Sequence, residues 1–274
     1  MAVQDRLSEL LSLFEGQGRV VVGYSGGVDS ALLAAAATRT LGRENAVAVT
    51  VDSESLPRSE LATACESARA MGLWHEVVRT SELANPRYAE NPVNRCYFCR
   101  EEMSRVLLDA AGRWQATRVA VGVNASDLRE WRPGIAASRA AGLWMPLLDL
   151  GLGKDDVRAL ARAMELPVAD KPSMACLSSR IPFGETITVE KLARVERAEA
   201  ALRARGFAQV RVRSHGDVAR VEVEPHELAR ARRAGAEIER DLRAAGFAFV
   251  TLDAKGYRSG SLSEALVVEK ETFK

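Results

Sequence analysis

The chain has 274 residues, 47% of them hydrophobic and 27% charged, with a net charge of +1. That length and composition supply a core for one large or two modest domains and exclude a disordered chain. A balance this close to neutral gives no global field for nucleic acid or a membrane surface, leaving only a local basic patch open. No apolar run approaches the about 18 residues of a membrane span, and the N-terminus lacks a signal-peptide core, so the expected compartment is the cytoplasm, with no membrane partner. Four cysteines there point to thiols or metal ligands rather than structural disulfides.

Residues 19–24 (Arg-Val-Val-Val-Gly-Tyr) are a β-branched run and read as a buried parallel strand. Ser25-Gly26-Gly27-Val28-Asp29-Ser30 follows, with the Gly pair as a tight turn and Ser30 as the cap of an Ala/Leu-rich helix over 31–38. Residues 46–52, 74–79 and 118–123 give three more buried strands, separated by helical patterns at 58–71 and 101–113. Strands alternating with helices predict an α/β fold, a doubly wound parallel sheet. Ligands bind such sheets at the C-terminal strand ends, where Ser25, Asp52, Ser53, Gly122, Val123 and Asn124 fall. A helix at 154–164 leads into an irregular stretch, 166–186, which is the expected boundary between a first domain over 1–165 and a second over 187–274. The second has a different order: helix 188–205, strands 208–213 and 217–223, helix 225–245, strand 247–253. Two helices on one face of a small antiparallel sheet predict a smaller α+β domain.

The turn after the first strand is a built-in anion site. Backbone N–H groups of the turn and of the first helical turn converge, and the helix dipole adds positive potential. A Walker loop is excluded, because the nearest Gly-Lys, Gly153-Lys154, is followed by Asp155 and has Leu148 where the upstream Gly belongs. A dinucleotide fingerprint is excluded by the spacing of Gly23, Gly26 and Gly27. The six residues Ser25 to Ser30 resemble the PP-loop of the ATP pyrophosphatases, which cleave ATP between the α and β phosphates and transfer AMP to an oxygen nucleophile. That resemblance implies ATP and Mg2+ as cofactors, with the loop on the departing pyrophosphate and Asp29 close to the metal.

Cys96 and Cys99 form Arg95-Cys-Tyr-Phe-Cys-Arg100 after a loop with Pro86 and Pro92, and Cys176 lies in Ala175-Cys-Leu-Ser-Ser-Arg180. A Cys-x-x-Cys pair chelates one iron or zinc centre, and its Arg neighbours favour thiolate. Zinc needs four ligands, and with Cys176 the only obvious third, an iron–sulfur cluster with one non-protein site fits thiolate-only ligation better. A redox disulfide and unligated thiols remain as alternatives. Cys65 shares the apolar side of its helix with Leu61, Ala68 and Met71 and reads as a buried structural thiol.

Four stretches together carry a narrower resemblance: the Ser-Gly-Gly-Val-Asp-Ser loop, residues 124–134 (Asn-Ala-Ser-Asp-Leu-Arg-Glu-Trp-Arg-Pro-Gly), 171–184, and 210–216 (Val-Arg-Val-Arg-Ser-His-Gly). They resemble the LarE family, ATP-dependent sulfur transferases that build the nickel-pincer nucleotide cofactor of lactate racemase. The resemblance runs from Leu7 to about Lys270. It implies that a pyridinium dicarboxylate mononucleotide is adenylated by ATP and that a sulfur nucleophile then displaces AMP, once at each carboxylate. Ser25, Gly26, Gly27, Asp29 and Ser30 would hold the ATP phosphates and magnesium. Cys176 matches the cysteine that, in single-cysteine members, gives up its sulfur and becomes dehydroalanine. The added Cys96 and Cys99 match members in which three cysteines hold a [4Fe-4S] cluster that carries an extra sulfide as donor. The family also implies a hexamer.

In the second domain Glu199 falls inside the apolar stripe of Leu192, Val195 and Leu202, where a carboxylate needs a partner. Arg211 and Arg213 share one side of their strand, opposite Val210 and Val212, and suit a phosphate or a carboxylate. Resemblance places these arginines, with Ser179, Arg180 and Glu199, at the site for the substrate's phosphate; cross-strand pairing with Glu222 or Glu224 is the competing reading. Asn124 and Asp127 are expected at the ATP or substrate contact, with Ser126 standing where the family commonly has Asp. Trp131 is a pocket wall or simple packing. His75, His215 and His226 are too scattered for a metal trio. Two other functions fit the PP-loop: a tRNA thiolase, which the interleaved Asp and Glu argue against, and a nucleotide-binding regulator that releases no pyrophosphate.

Overall fold

The computed structural model describes residues 3–129, 132–173 and 175–258. Its elements are α1 (Val3–Ser12), β1 (Val20–Gly23), α2 (Val28–Leu41), β2 (Ala46–Asp52), α3 (Arg58–Ala70), β3 (Trp74–Arg79), α4 (Pro86–Ala89), α5 (Arg95–Trp114), β4 (Arg118–Val121), α6 (Pro133–Ala140), α7 (Pro146–Asp149), α8 (Lys154–Ala163), α9 (Val189–Ala204), β5 (Val210–His215), β6 (Val218–Val223), α10 (Leu228–Arg233), α11 (Gly235–Ala244) and β7 (Phe249–Leu252). The chain divides into two compact units, residues 1–88 with 94–174, and residues 89–93 with 175–274. Among the described residues no helix is long and apolar enough to cross a membrane.

The first unit is a parallel four-stranded sheet in the order β3-β2-β1-β4. The chain steps outward from β1 to β3 and then returns to the other side of β1, so β1 and β4 flank the point where the winding reverses. Alternation sends Val20 and Val22 into a core with α1, α2 and α8, built on Leu10, Leu32 and Leu160. Val21, Val47 and Val49 enter the opposite core with Leu107 and Ala110 of α5. Trp144 extends the β4 edge through Val121 N–H to its carbonyl (2.9 Å) and its own N–H to the Val119 carbonyl (2.8 Å), a one-residue extension that Pro146 cuts short.

Three local expectations are corrected. Ser30 is not the cap of α2: Gly27 takes the N-cap position and Ser30 lies in the first turn. The helix expected over 101–113 begins at Arg95, so Cys96 and Cys99 ride on its first turns; Cys, Tyr and Phe are weak helix formers and concealed the start. Cys65 is half-buried rather than buried.

The second unit holds a three-stranded sheet, order β5-β6-β7, covered by α9 and α11. Its β5 and β6 are antiparallel, whereas β6 and β7 are parallel, which corrects the expected antiparallel sheet. The helical return over α10 and α11 is a crossover, and a crossover brings the chain back to start the next strand in the same direction. The helix expected over 225–245 breaks at Ala234, ahead of the weak helix former Gly235. Asn91, fully buried with φ of 57°, belongs to this unit. Its side-chain amide donates to the carbonyls of Ile181, Pro182 and Glu185, and its carbonyl accepts from Gly184 N–H (2.9 Å), fixing the turn before α9.

Candidate active site

The Ser25 to Ser30 loop leaves the C-terminal end of β1 and turns directly into α2. Ser30 Oγ donates to the Gly27 carbonyl (3.0 Å) and accepts from Ser25 N–H (3.1 Å), and Ser25 Oγ accepts from Gly27 N–H (3.3 Å). The hydroxyls thus tie the loop to itself. The opening N–H groups of α2 have no intrahelical acceptor, which is the requirement for an anion site at a helix start.

Gly26 has φ of +70°, and a Cβ there would lie 2.8 Å from the Cα and Cβ of Ala64 in α3. Both constraints demand glycine. Gly26→Ala is expected to cost about 1–2 kcal/mol from the left-handed backbone alone, with a further loss from the overlap and weakened ATP binding; thermal melting and calorimetric titration with ATP check it. Gly122, just after β4, is similarly confined: its Cβ would stand 2.9 Å from Ser30 N. Glycine therefore lets the β4 end abut the start of α2.

Asp29 is placed by both flanks. Its Oδ1 accepts from Asn124 Nδ2 (2.8 Å), and its Oδ2 pairs with Lys154 Nζ (2.5 Å) at the start of α8. Asn124 is itself oriented: its N–H donates to Asp127 Oδ2 (3.0 Å) and its Oδ1 accepts from Ser126 N–H (2.9 Å). Ser126 Oγ accepts from Lys154 N–H (3.0 Å), so it anchors the α8 start, and Asp127 Oδ1 pairs with Arg132 (2.7 Å). Lys171 reaches the other side of the loop, donating to the Gly26 carbonyl (3.2 Å) and pairing with Glu60 (2.7 Å). Arg158 of α8 holds the Ala169 and Lys171 carbonyls at 3.1 Å each. The sequence marks neither Lys154 nor Lys171 as a neighbour of the loop, since Gly153-Lys154 fits no Walker pattern. Asp52 ends β2 buried, paired with Arg58 (2.6 Å) and Arg79 (3.7 Å). Trp131 lies outside the described residues.

A second constellation lies wholly in the second unit. Arg180 is fully buried and forks onto Glu199, Nε to Oε1 at 2.7 Å and Nη2 to Oε2 at 3.0 Å. Glu199 also accepts from Arg203 Nη2 (2.8 Å) and Val212 N–H (3.1 Å). Burial pushes the Glu199 carboxyl up, and the guanidiniums of Arg180 and Arg203 more than offset it, so its pKa lies below the ordinary carboxylate value. Arg213 forks onto Glu222 at 3.1 and 2.9 Å and donates to the Ser179 carbonyl (2.7 Å). For Arg213 the cross-strand pairing with Glu222 is therefore formed on the diagonal, two residues along from the directly opposed Arg220, while Glu222 itself stands opposite Arg211. Arg211 differs. Its Nη1 donates to the Val210 carbonyl (2.7 Å), its guanidinium lies 5.2 Å from the Tyr257 ring centre, and it has no carboxylate at ion-pair distance among the described residues. Burial and the nearby Arg180 lower its pKa.

All four cysteines are thiols; Cys96 is exposed and Cys99 and Cys176 are half-buried. Cys96 and Cys99 belong to the first unit, beside Arg100, and Cys176 to the second. Among the described residues no group of three or more His, Cys, Asp or Glu is assembled for a metal ion. His75 is taken up by the Thr50 hydroxyl (2.8 Å), and His215 ends β5 with its pKa lowered by burial and by Arg220.

A family model described as NAD synthase matches residues 3–89, the stretch that carries the loop and the first three strands. An uncharacterized protein of Synechocystis sp. is 44% identical over 266 residues, which is 96% of this chain and 99% of that protein. An uncharacterized protein of Methanocaldococcus jannaschii is 28% identical over 88% of this chain and 91% of its own length. The pyridinium-3,5-bisthiocarboxylic acid mononucleotide synthase of Lactiplantibacillus plantarum is 33% identical over 257 residues, 94% of this chain and 93% of that protein. With a PP-loop at the sheet's reversal point and this likeness along almost its whole length, the chain belongs to the LarE family, that of the pyridinium-3,5-bisthiocarboxylic acid mononucleotide synthases.

Proposed function

We propose that this protein adenylates the two carboxylates of pyridinium-3,5-biscarboxylic acid mononucleotide and converts each to a thiocarboxylate, for the nickel-pincer cofactor of lactate racemase. The carrying observation is Asp29, held between Asn124 and Lys154 at the mouth of the phosphate loop. In the first half-reaction a carboxylate oxygen attacks the α-phosphorus of ATP and pyrophosphate leaves. In the second, hydrosulfide sulfur attacks the acyl carbon and AMP leaves.

Loop N–H groups and the ammonium groups of Lys154 and Lys171 supply positive charge for the departing pyrophosphate. An Asp29 carboxylate, a hard oxygen donor, fits Mg2+, which when bound would neutralise charge on the phosphates. Asn124 aims that carboxylate, while Asp52, Gly122 and Asp127 complete the nucleotide site. Cys96, Cys99 and Cys176 are a thiolate donor set suited to a [4Fe-4S] cluster, which when bound would supply the sulfide. Arg211, which has no carboxylate at ion-pair distance among the described residues, is the group that grips the substrate's phosphate, and Ser179, Arg180, Glu199 and Arg213 form the framework around it. The protein is expected in the cytoplasm, as a hexamer checked by light scattering.

The deciding experiment incubates the protein with ATP, Mg2+ and the mononucleotide and follows products. Pyrophosphate and AMP that appear only with the mononucleotide, together with exchange of oxygen for sulfur in its mass, support the proposal. Pyrophosphate release that needs tRNA instead marks a tRNA thiolase, and ATP binding without release marks a regulator.

Arg211→Ala is expected to weaken the mononucleotide by about 1–3 kcal/mol, the worth of a charge-assisted bond, and to leave ATP affinity unchanged. Arg213→Ala acts differently, because it leaves the buried Glu222 carboxylate with Arg220 alone (3.2 Å); a stability loss of about 2–3 kcal/mol is expected, below the about 3–5 kcal/mol of a fully unpaired buried charge. Substrate titration alongside thermal melting separates them. Unchanged substrate affinity in the Arg211 variant removes it from the phosphate site.

A further inference from the structure

Arg180 has no accessible surface, so a substrate phosphate cannot touch it unless the unit opens. Its donors are spent inward. While Nε and Nη2 grip Glu199, Nη1 donates to the carbonyls of Ala175 (2.8 Å) and Cys176 (2.9 Å) and to Ser179 Oγ (2.9 Å). The Cys176 carbonyl accepts two further bonds, from Ser179 Oγ (2.8 Å) and Ser179 N–H (3.1 Å). Cys176 is thus the N-cap of a short helical turn over Leu177–Arg180, fastened by its carbonyl to a guanidinium from the end of that same turn. Glu199 in turn is fastened to α9 and to the β5 backbone at Val212.

A buried ion pair of this kind is no route to stability, since well-packed apolar side chains of similar volume would serve as well or better. What a fork-to-fork pair adds is orientation in two directions at once. The residue whose orientation it fixes is a cysteine with a half-exposed thiol.

We infer that Arg180 and Glu199 are positioning residues for Cys176 rather than contacts to the substrate. This deepens the sulfur-transferase reading and rests on it. Reactive groups must be held closely, because a displacement of about 1 Å costs on the order of a hundredfold in rate. A guanidinium clamped on the Cys176 carbonyl restrains the backbone that carries Sγ, and Glu199 keeps the clamp from turning away.

Glu199→Gln in the full-length protein preserves shape and removes the charge; Arg180→Lys preserves the charge and removes the fork. Three quantities are read: the rate at which iodoacetamide alkylates Cys176 at fixed pH, by site-resolved mass spectrometry; kcat and KM for the mononucleotide in thiocarboxylate formation; and the melting temperature. The expected result is a changed Cys176 alkylation rate, a kcat lowered about a hundredfold and a KM within about twofold of the parent value. An unchanged alkylation rate overturns the inference. So does a KM raised about tenfold or more at unchanged kcat, the split expected of a lost substrate contact. Should either variant fail to fold, Arg203→Ala removes only the half-exposed donor to Glu199, and the same two measurements decide with smaller changes expected in the same directions. Cys176→Ser separates the two levels: full thiocarboxylate formation in that variant overturns the role of Cys176 in sulfur transfer, whereas loss of formation there with no effect of Glu199→Gln overturns the positioning role alone.

Discussion

Asp29→Ala is expected to slow adenylation by several orders of magnitude while leaving the melting temperature nearly unchanged. The carboxylate is only partly buried and sits at the mouth of the loop, not in a core, so its removal exposes no apolar surface. Its loss removes the anchor for a divalent ion, whose charge stabilisation is worth several kcal/mol. With each 1.36 kcal/mol equal to tenfold in rate, about 4 kcal/mol corresponds to roughly a thousandfold. Asp29→Asn keeps the shape and an acceptor for Asn124 but not the charge, so it is expected to fall nearly as far. Lys154, relieved of its partner, keeps its ammonium at the loop and gives no rescue, since it carries one positive charge where a metal ion carries two. The measurement is mononucleotide-dependent exchange of labelled pyrophosphate into ATP. Release of ADP and phosphate by the parent protein refutes the assignment of α–β cleavage.

The phosphate loop was legible because every feature of it is local. A β-branched strand, two glycines and a helix lie within some twenty residues, and the structure adds only that Gly26 must make room for Ala64. The two lysines beside the loop were not legible. Lys154 and Lys171 lie more than a hundred residues downstream, and nothing in their own neighbourhoods announces a phosphate. Glu199 shows both sides of this. Its place in an apolar stripe demanded a partner, but that Arg180 supplies it depends on how the segment before α9 folds back. Asn91 carried no signal at all: a left-handed asparagine in a Pro-flanked loop is unremarkable until its amide is seen gathering three carbonyls. The strand arginines were legible as a pair and are not one. Register sets Glu222 directly opposite Arg211, yet the ion pair forms on the diagonal, from Arg213, and leaves Arg211 without such a partner, a distinction that neither alternation nor register announces.

Removal of Cys96 or Cys99 decides between two sulfur donors. Both thiols sit in the first turns of α5 beside the Arg100 guanidinium, one helical turn apart, so the pair is suited to chelation whether or not the third ligand is at hand. If Cys176 joins them, anaerobic reconstitution with iron and sulfide is expected to give about four irons per chain, and loss of any one of the three cysteines to destabilise the cluster by removing a thiolate. With sulfide present the reconstituted protein is then expected to form more than one thiocarboxylate per chain, because no protein atom is consumed. The competing route spends Cys176: its sulfur ends in the product and dehydroalanine remains, which limits each chain to a single transfer and makes Cys96 and Cys99 dispensable. Iron content, product per chain and the mass of the Cys176 peptide distinguish the routes in one set of samples. Dehydroalanine appearing in step with product, with Cys96→Ala and Cys99→Ala giving full yield, overturns the cluster. An intact Cys176 with repeated turnover, lost in either of those variants, overturns the sacrificial route.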